Sequence, residues 1–122
     1  MADVPFSALV QTEDGVLTIA LSGDVDRDAE EALFSAWQEV RALAQGRVLL
    51  DFRDVSYINS TGIAVVVGLL ARARADDRSL GVFGLSDHYR HVFEITRLID
   101  FMDIYPDGEA ARLATAASDS SH

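Results

Sequence analysis

The chain contains neither cysteine nor lysine. Without cysteine there is no disulfide, no thiolate metal site and no cysteine nucleophile. Without lysine there is no P-loop lysine, no Schiff base and no receiver-type phosphoaspartate site of the usual design. The 10 basic residues are therefore all arginines; they face 20 acidic ones, and the formal net charge is -10. Such a field repels phosphate backbones and anionic lipid, which makes nucleic acid a poor partner and a protein with a basic face a better one. Long apolar runs are missing as well. The most apolar, Ile63 to Ala71, is half of the roughly 20 residues that cross a bilayer, so no membrane insertion is expected. Met1 to Val10 has no basic n-region and no apolar h-region, which points to a cytoplasmic protein.

What is present suits one globular domain: 122 residues, 49% of them hydrophobic and 25% charged. The domain is expected over residues 1–117, with 118–122 as a flexible tail. Phe6 to Thr12 and Val16 to Ser22 are extended runs flanking Glu13-Asp14-Gly15, a strong hairpin signal because glycine accepts a positive φ. Gly23-Asp24-Val25-Asp26 then breaks the strand. Asp28 and Glu31 have capping-box spacing and open a helix to about Gln45, with Leu33, Trp37, Val40 and Ala44 facing the core and Gly46 as its stop. Val48 to Phe52 reads as a buried central strand. A second helix follows Asn59-Ser60-Thr61-Gly62 to about Ala75. Leu80 to Leu85 is a strand, Ser86 or Asp87 caps a helix over His88 to Arg97, Met102 to Tyr105 is a last strand closed by Pro106, and Asp107 to Ala117 is an alanine-rich helix. This order predicts an α/β fold: a mixed, mostly parallel sheet of four or five strands with an N-terminal hairpin and about four helices.

Asn59, Ser60 and Thr61 are residue types that an N-cap needs, since their side chains accept from the orphan N–H groups of a first helical turn. At 100° per residue, Ile63, Val66, Val67 and Leu70 share one helix face and are expected in the core. Val65, Gly68, Leu69 and Arg72 then point outward, with Ala64 at the edge. An apolar outer face with small residues suits close approach by another protein.

The run Asp51 to Leu70, preceded by Gly23-Asp24-Val25-Asp26 and followed by Ser86-Asp87, resembles a STAS domain, and within that family bacterial anti-sigma factor antagonists (anti-anti-sigma factors). Their motif is typically Asp-Ser-Ser/Thr-Gly before an apolar helix; here Asn59 stands at the aspartate position and caps about as well. The resemblance implies that Ser60 is a phosphoacceptor, with Thr61 as a second candidate and Gly62 completing the turn. Asp24 and Asp26 are its implied neighbours. Ala64, Val65, Gly68, Leu69 and Arg72 are implied partner contacts. The implied partner is an anti-sigma factor of the GHKL serine-kinase type, bound when Ser60 is unmodified and released when it is phosphorylated, with a phosphatase resetting the switch. No cofactor, metal or catalytic residue is implied, and the chain reads as a regulator and not an enzyme.

Other readings are weaker. Asn59-Ser60-Thr61 matches an N-glycosylation pattern but lacks a secretory context. His88 and His91 lie at i, i+3 without a third metal ligand. No Gly-x-Ser-x-Gly elbow supports a hydrolase. A STAS module of another signalling scaffold and a small-ligand-binding domain remain the alternatives to the antagonist.

Overall fold

Residues 5–13, 15–43 and 47–120 are described by a computed structural model of the chain. The expected hairpin forms from β1 (Ser7–Glu13) and β2 (Val16–Val25), antiparallel from Ser7 opposite Ser22 to Glu13 opposite Val16. Gly15 takes the positive φ of +79° that the turn requires. Asp14 lies outside the described residues, as do Ala44, Gln45 and Gly46, and with them the expected glycine stop; the first helix itself ends at Arg41 with Ala42 as its C-cap, short of the expected Gln45. That helix, α1 (Ala29–Arg41), buries Leu33, Trp37 and Val40 as its spacing predicts.

The remaining elements are β3 (Val48–Ile58), α2 (Ser60–Ala75), β4 (Leu80–Phe83), α3 (Asp87–Ile95), a 3-10 turn at Leu98–Asp100, β5 (Asp103–Tyr105) and α4 (Gly108–Ser120). The sheet has five strands in the order β1-β2-β3-β4-β5, with β1 antiparallel and the rest parallel, so the predicted architecture holds. Alternate residues of the strands face opposite layers. Ile19, Leu50 and Val82 pack with Leu33 and Trp37 of α1, Val66 and Leu70 of α2, and Phe93 of α3. On the other side Leu49 and Phe83 pack with Ala111 of α4. No helix among the described residues is long and apolar enough to cross a membrane.

Three local expectations change. Gly23-Asp24-Val25 does not break β2. These residues stay in the strand because β3 runs to Ile58 beside them, pairing Gly23 with Val55, Asp24 with Tyr57 and Val25 with Ile58. Asp28 and Glu31 do not form a capping box: Asp28 caps α1 in position but makes no side-chain cap bond. The Asp26 carboxylate instead accepts from the Asp28 N–H at 2.9 Å, an Asx turn that satisfies the entry to the helix differently. Finally, α4 extends three residues past Ala117, to Ser120.

β3 is bulged twice against β2. Between the pairs Ala20–Asp51 and Ser22–Asp54, and again between Gly23–Val55 and Asp24–Tyr57, β3 carries one more residue than its neighbour. Each bulge bends the strand and re-aims its side chains, and because there are two, the alternation is restored. Ile58 therefore returns to the core opposite Val25, and the chain leaves the sheet at Asn59.

The far ends of α1 and α2 are strapped by polar contacts. Trp37 donates its indole N–H to Asp76 at 2.8 Å, Arg41 pairs with Asp76 at 3.3 Å, and Arg78 donates to the Val40 carbonyl at 3.2 Å. Burial lowers the pKa of the Arg78 guanidinium, with Asp76 opposing the shift.

Candidate functional site

One residue turns strand into helix. Asn59 is extended, with φ -96° and ψ -177°, and its N–H donates to the Val25 carbonyl at 3.3 Å. Its side-chain Oδ1 accepts from the Gly62 N–H at 2.8 Å and from the Thr61 hydroxyl at 2.8 Å, while its own carbonyl takes the Ile63 N–H at 2.9 Å. The cap predicted from the sequence is thus formed, and by Asn59 alone. From the other side, the Ile58 N–H donates to the Tyr89 hydroxyl of α3 at 2.9 Å. Ser60 and Thr61 emerge from this clamp exposed to solvent.

Gly62 is pressed against the end of β2. A Cβ built there would lie 1.9 Å from the Val25 carbonyl oxygen and 2.7 Å from its carbon. No side chain fits. The contact locks the head of α2 onto the strand that carries Asp24 and Asp26 on either side of Val25. Both aspartates are half-buried; Asp24 stands opposite Tyr57, and Asp26 is engaged in the Asx turn. The structure therefore gathers Asp24, Asp26, Asn59, Ser60, Thr61 and Gly62 at one end of the β2–β3 pair, as the sequence suggested.

The outward face of α2 is a different one from that expected. Val65 and Leu69 are 8% and 3% exposed and belong to the core, so they do not form the outward face expected of them. Val67, expected inside, is 45% exposed, and Ile63 is half-buried. Ala64, Gly68 and Arg72 face solvent as expected, joined by Ala71. The reason is that apolar residues run all the way round this helix, so hydrophobicity leaves its rotation undetermined. Gly62 fixes it. Once Gly62 must face Val25, helical spacing brings Val65, Val66, Leu69, Leu70 and Ala73 to the same side, and these are the buried set. Leu69→Ala should accordingly cost about 2–5 kcal/mol of stability, as core truncations do, read as a fall in urea midpoint by Trp37 fluorescence. A loss under about 0.5 kcal/mol, with weakened partner binding, would restore Leu69 to the surface.

Val65 and Leu69 form the floor of a groove of about 570 Å³ between α1 and α2, walled by Glu30, Phe34 and Gly68. Arg72 covers its far side, with its guanidinium carbon 3.7 Å from the Phe34 ring centroid, a cation–π contact. Sequence reasoning missed Phe34, Val67, Tyr89 and the 54% exposed Tyr57. Tyr57 carried no signal of its own, because only the second bulge turns it outward.

This fold has known counterparts. Residues 8–103 match the family model described as Mlab, STAS domain. An anti-sigma-B factor antagonist of Listeria monocytogenes is 37% identical over 89 residues, 72% of this chain and 77% of that protein. The crystal structure of an anti-sigma factor antagonist from Mycobacterium paratuberculosis superposes with a TM-score of 0.78 at 23% identity, covering 92% of this chain and 95% of that one. The phosphorylated form of SpoIIAA, a Bacillus cell fate determinant, superposes with a TM-score of 0.63 at 20% identity, covering 90% of this chain and 99% of that one. With its family match spanning β1 to the start of β5, this chain belongs to the STAS-domain family, alongside relatives named anti-sigma factor antagonists.

Proposed function

We propose that this protein is an anti-sigma factor antagonist that works as a phosphorylation-controlled partner switch. Unmodified, it binds an anti-sigma factor of the GHKL serine-kinase type through the Ser60 turn and the exposed face of α2. The bound kinase phosphorylates Ser60 and the complex separates, until a phosphatase removes the phosphate. The role of Ser60 is that of substrate, not catalyst.

The observation that carries this reading is an exposed hydroxyl beside an exposed strip of small residues. Ser60 begins α2, and Ala64, Gly68 and Ala71 follow it toward solvent. Gly68 has no fold-based reason to be glycine, since a Cβ there would meet nothing within 4 Å. A mid-helix glycine lowers stability by about 0.5–1 kcal/mol relative to alanine, so its presence on an open face suits a close-fitting partner. A phosphate on Ser60 would sit at the positive end of the α2 dipole, where the fold accommodates it. The same charge would need desolvation inside the complex, which opposes binding.

The test is capture of the tagged protein from its native cell, with mass spectrometry of the retained proteins and of Ser60. An anti-sigma factor with a serine-kinase domain should be retained by wild type and lost with Ala64→Arg, whose folding midpoint should stay within about 0.5 kcal/mol of wild type. Retention of a signalling scaffold without any sigma-factor regulator would favour the broader STAS-module reading. The α1–α2 groove supports a small-ligand reading, under which a ligand stabilises the fold and Ser60→Asp changes nothing.

A further inference from the structure

Two adjacent exposed hydroxyls, Ser60 and Thr61, stand at the head of α2, yet their surroundings are not equivalent. The Thr61 hydroxyl gives its proton to Asn59 Oδ1 at 2.8 Å, the same oxygen that accepts the Gly62 N–H. The Ser60 hydroxyl has no hydrogen bond among the described residues. From this difference we infer that Asn59 is a selecting residue: by holding the Thr61 hydroxyl in the helix cap, it confines phosphorylation to Ser60. The inference rests on the reading of Ser60 as the acceptor and adds to it what makes the choice.

The chemistry requires a free oxygen. In phosphoryl transfer from a nucleoside triphosphate, the serine oxygen bonds to the γ-phosphorus and the bond from that phosphorus to the β–γ bridging oxygen breaks. The nucleoside diphosphate leaves, and the hydroxyl proton passes to a base on the kinase. An attacking oxygen must rotate into line with the leaving group and give its proton to that base. The Thr61 oxygen is restrained on both counts. Its proton is committed to Asn59, and its β-branched side chain is stiff at χ1. A phosphate on Thr61 would remove the donated proton and set a negative oxygen beside the cap oxygen. Ser60, one residue earlier, gives up no such bond when modified, and no second cap partner has to be found.

The experiment compares wild type, Asn59→Asp and Asn59→Gly, each incubated with ATP and the kinase retained in the capture above, with the phosphate located by fragmentation mass spectrometry. Glycine is a tolerated N-cap, so this variant keeps the helix while losing Oδ1. Wild type and Asn59→Asp, which preserves the acceptor oxygen, should carry phosphate on Ser60 with Thr61 below a tenth of it. In Asn59→Gly the Thr61 share should rise at least tenfold. A kinase-free arm follows thermal unfolding by Trp37 fluorescence: Thr61→Val should melt about 2–6 °C below wild type through loss of one hydrogen bond, and Ser60→Ala within about 1 °C of it. An unmoved Thr61 share in Asn59→Gly, or equal melting of Thr61→Val and Ser60→Ala, overturns the selecting role while leaving Ser60 the acceptor. Phosphate on neither residue in any variant sinks the acceptor reading and the selection together.

Discussion

Gly62→Ala is expected to lose about 3 kcal/mol or more of stability and to abolish partner binding, although it adds only one methyl group. That methyl would lie 1.9 Å from the Val25 carbonyl oxygen, and the atoms in its way are backbone, which cannot swing aside as a long side chain does. Overpacking a tight core position costs about 1–3 kcal/mol, and a clash with main chain belongs at or above the upper end. Relief requires the head of α2 to move off β2. Such a movement breaks the Asn59 N–H contact with Val25 and shifts Ser60 with it. Gly68→Ala is the control within the same helix. It has open space for its Cβ and should gain about 0.5–1 kcal/mol from helix propensity. Urea unfolding of the two variants should therefore move the midpoint in opposite directions. If Gly62→Ala falls by less than about 1 kcal/mol, the close packing of α2 on Val25 is wrong, and so is the rotation of the helix derived from it.

That rotation also separates what could be read in the sequence from what could not. The alternation of elements, the hairpin with its positive-φ Gly15 and the cap at Asn59 are local chemistry, written into nearby residues, and the structure forms them as read. The outward face of α2 is not local. Ile63, Val65, Val66, Val67, Leu69 and Leu70 are all apolar, so a hydrophobicity pattern offers two rotations of nearly equal merit. The deciding contact is between Gly62 and a strand about 40 residues earlier, and only the fold supplies it. Gly62 did carry a usable signal, because a glycine in the first turn of an otherwise well-capped helix points to close backbone approach. The β3 bulges are of the same non-local kind. Nothing in Arg53 to Tyr57 announces an extra residue, since a bulge is a mismatch between two strands and is invisible in either one. The Asn59 cap and the place of Ser60 at the head of a helix could be read because they follow from position in a turn, whereas the places of Phe34 and Tyr89 depend on which helix packs where.

Ser60→Asp should weaken capture of the anti-sigma factor by about 100-fold to 4,000-fold while leaving the isolated domain at least as stable as wild type. The two halves of this expectation have different causes. In the free protein, a carboxylate at the first residue of α2 lies near the unpaired N–H groups of the helix start, an interaction worth about 0.3–1 kcal/mol in its favour. Solvent reaches it, so no desolvation cost offsets that gain. In the proposed complex, the same charge would be pressed among Ala64, Gly68 and the facing surface of the partner. Leaving a charge buried without a counterion costs about 3–5 kcal/mol, which converts to the stated loss at about 1.4 kcal/mol per tenfold change in affinity. Ser60→Asn has nearly the same shape without the charge, so it should bind within about tenfold of wild type. Ser60→Ala should bind fully and resist phosphorylation, trapping the complex. Titration calorimetry with the captured anti-sigma factor distinguishes the four proteins. Equal weakening by Asn and Asp would make the effect one of shape, and the electrostatic switch would have to be abandoned even if Ser60 is at the interface.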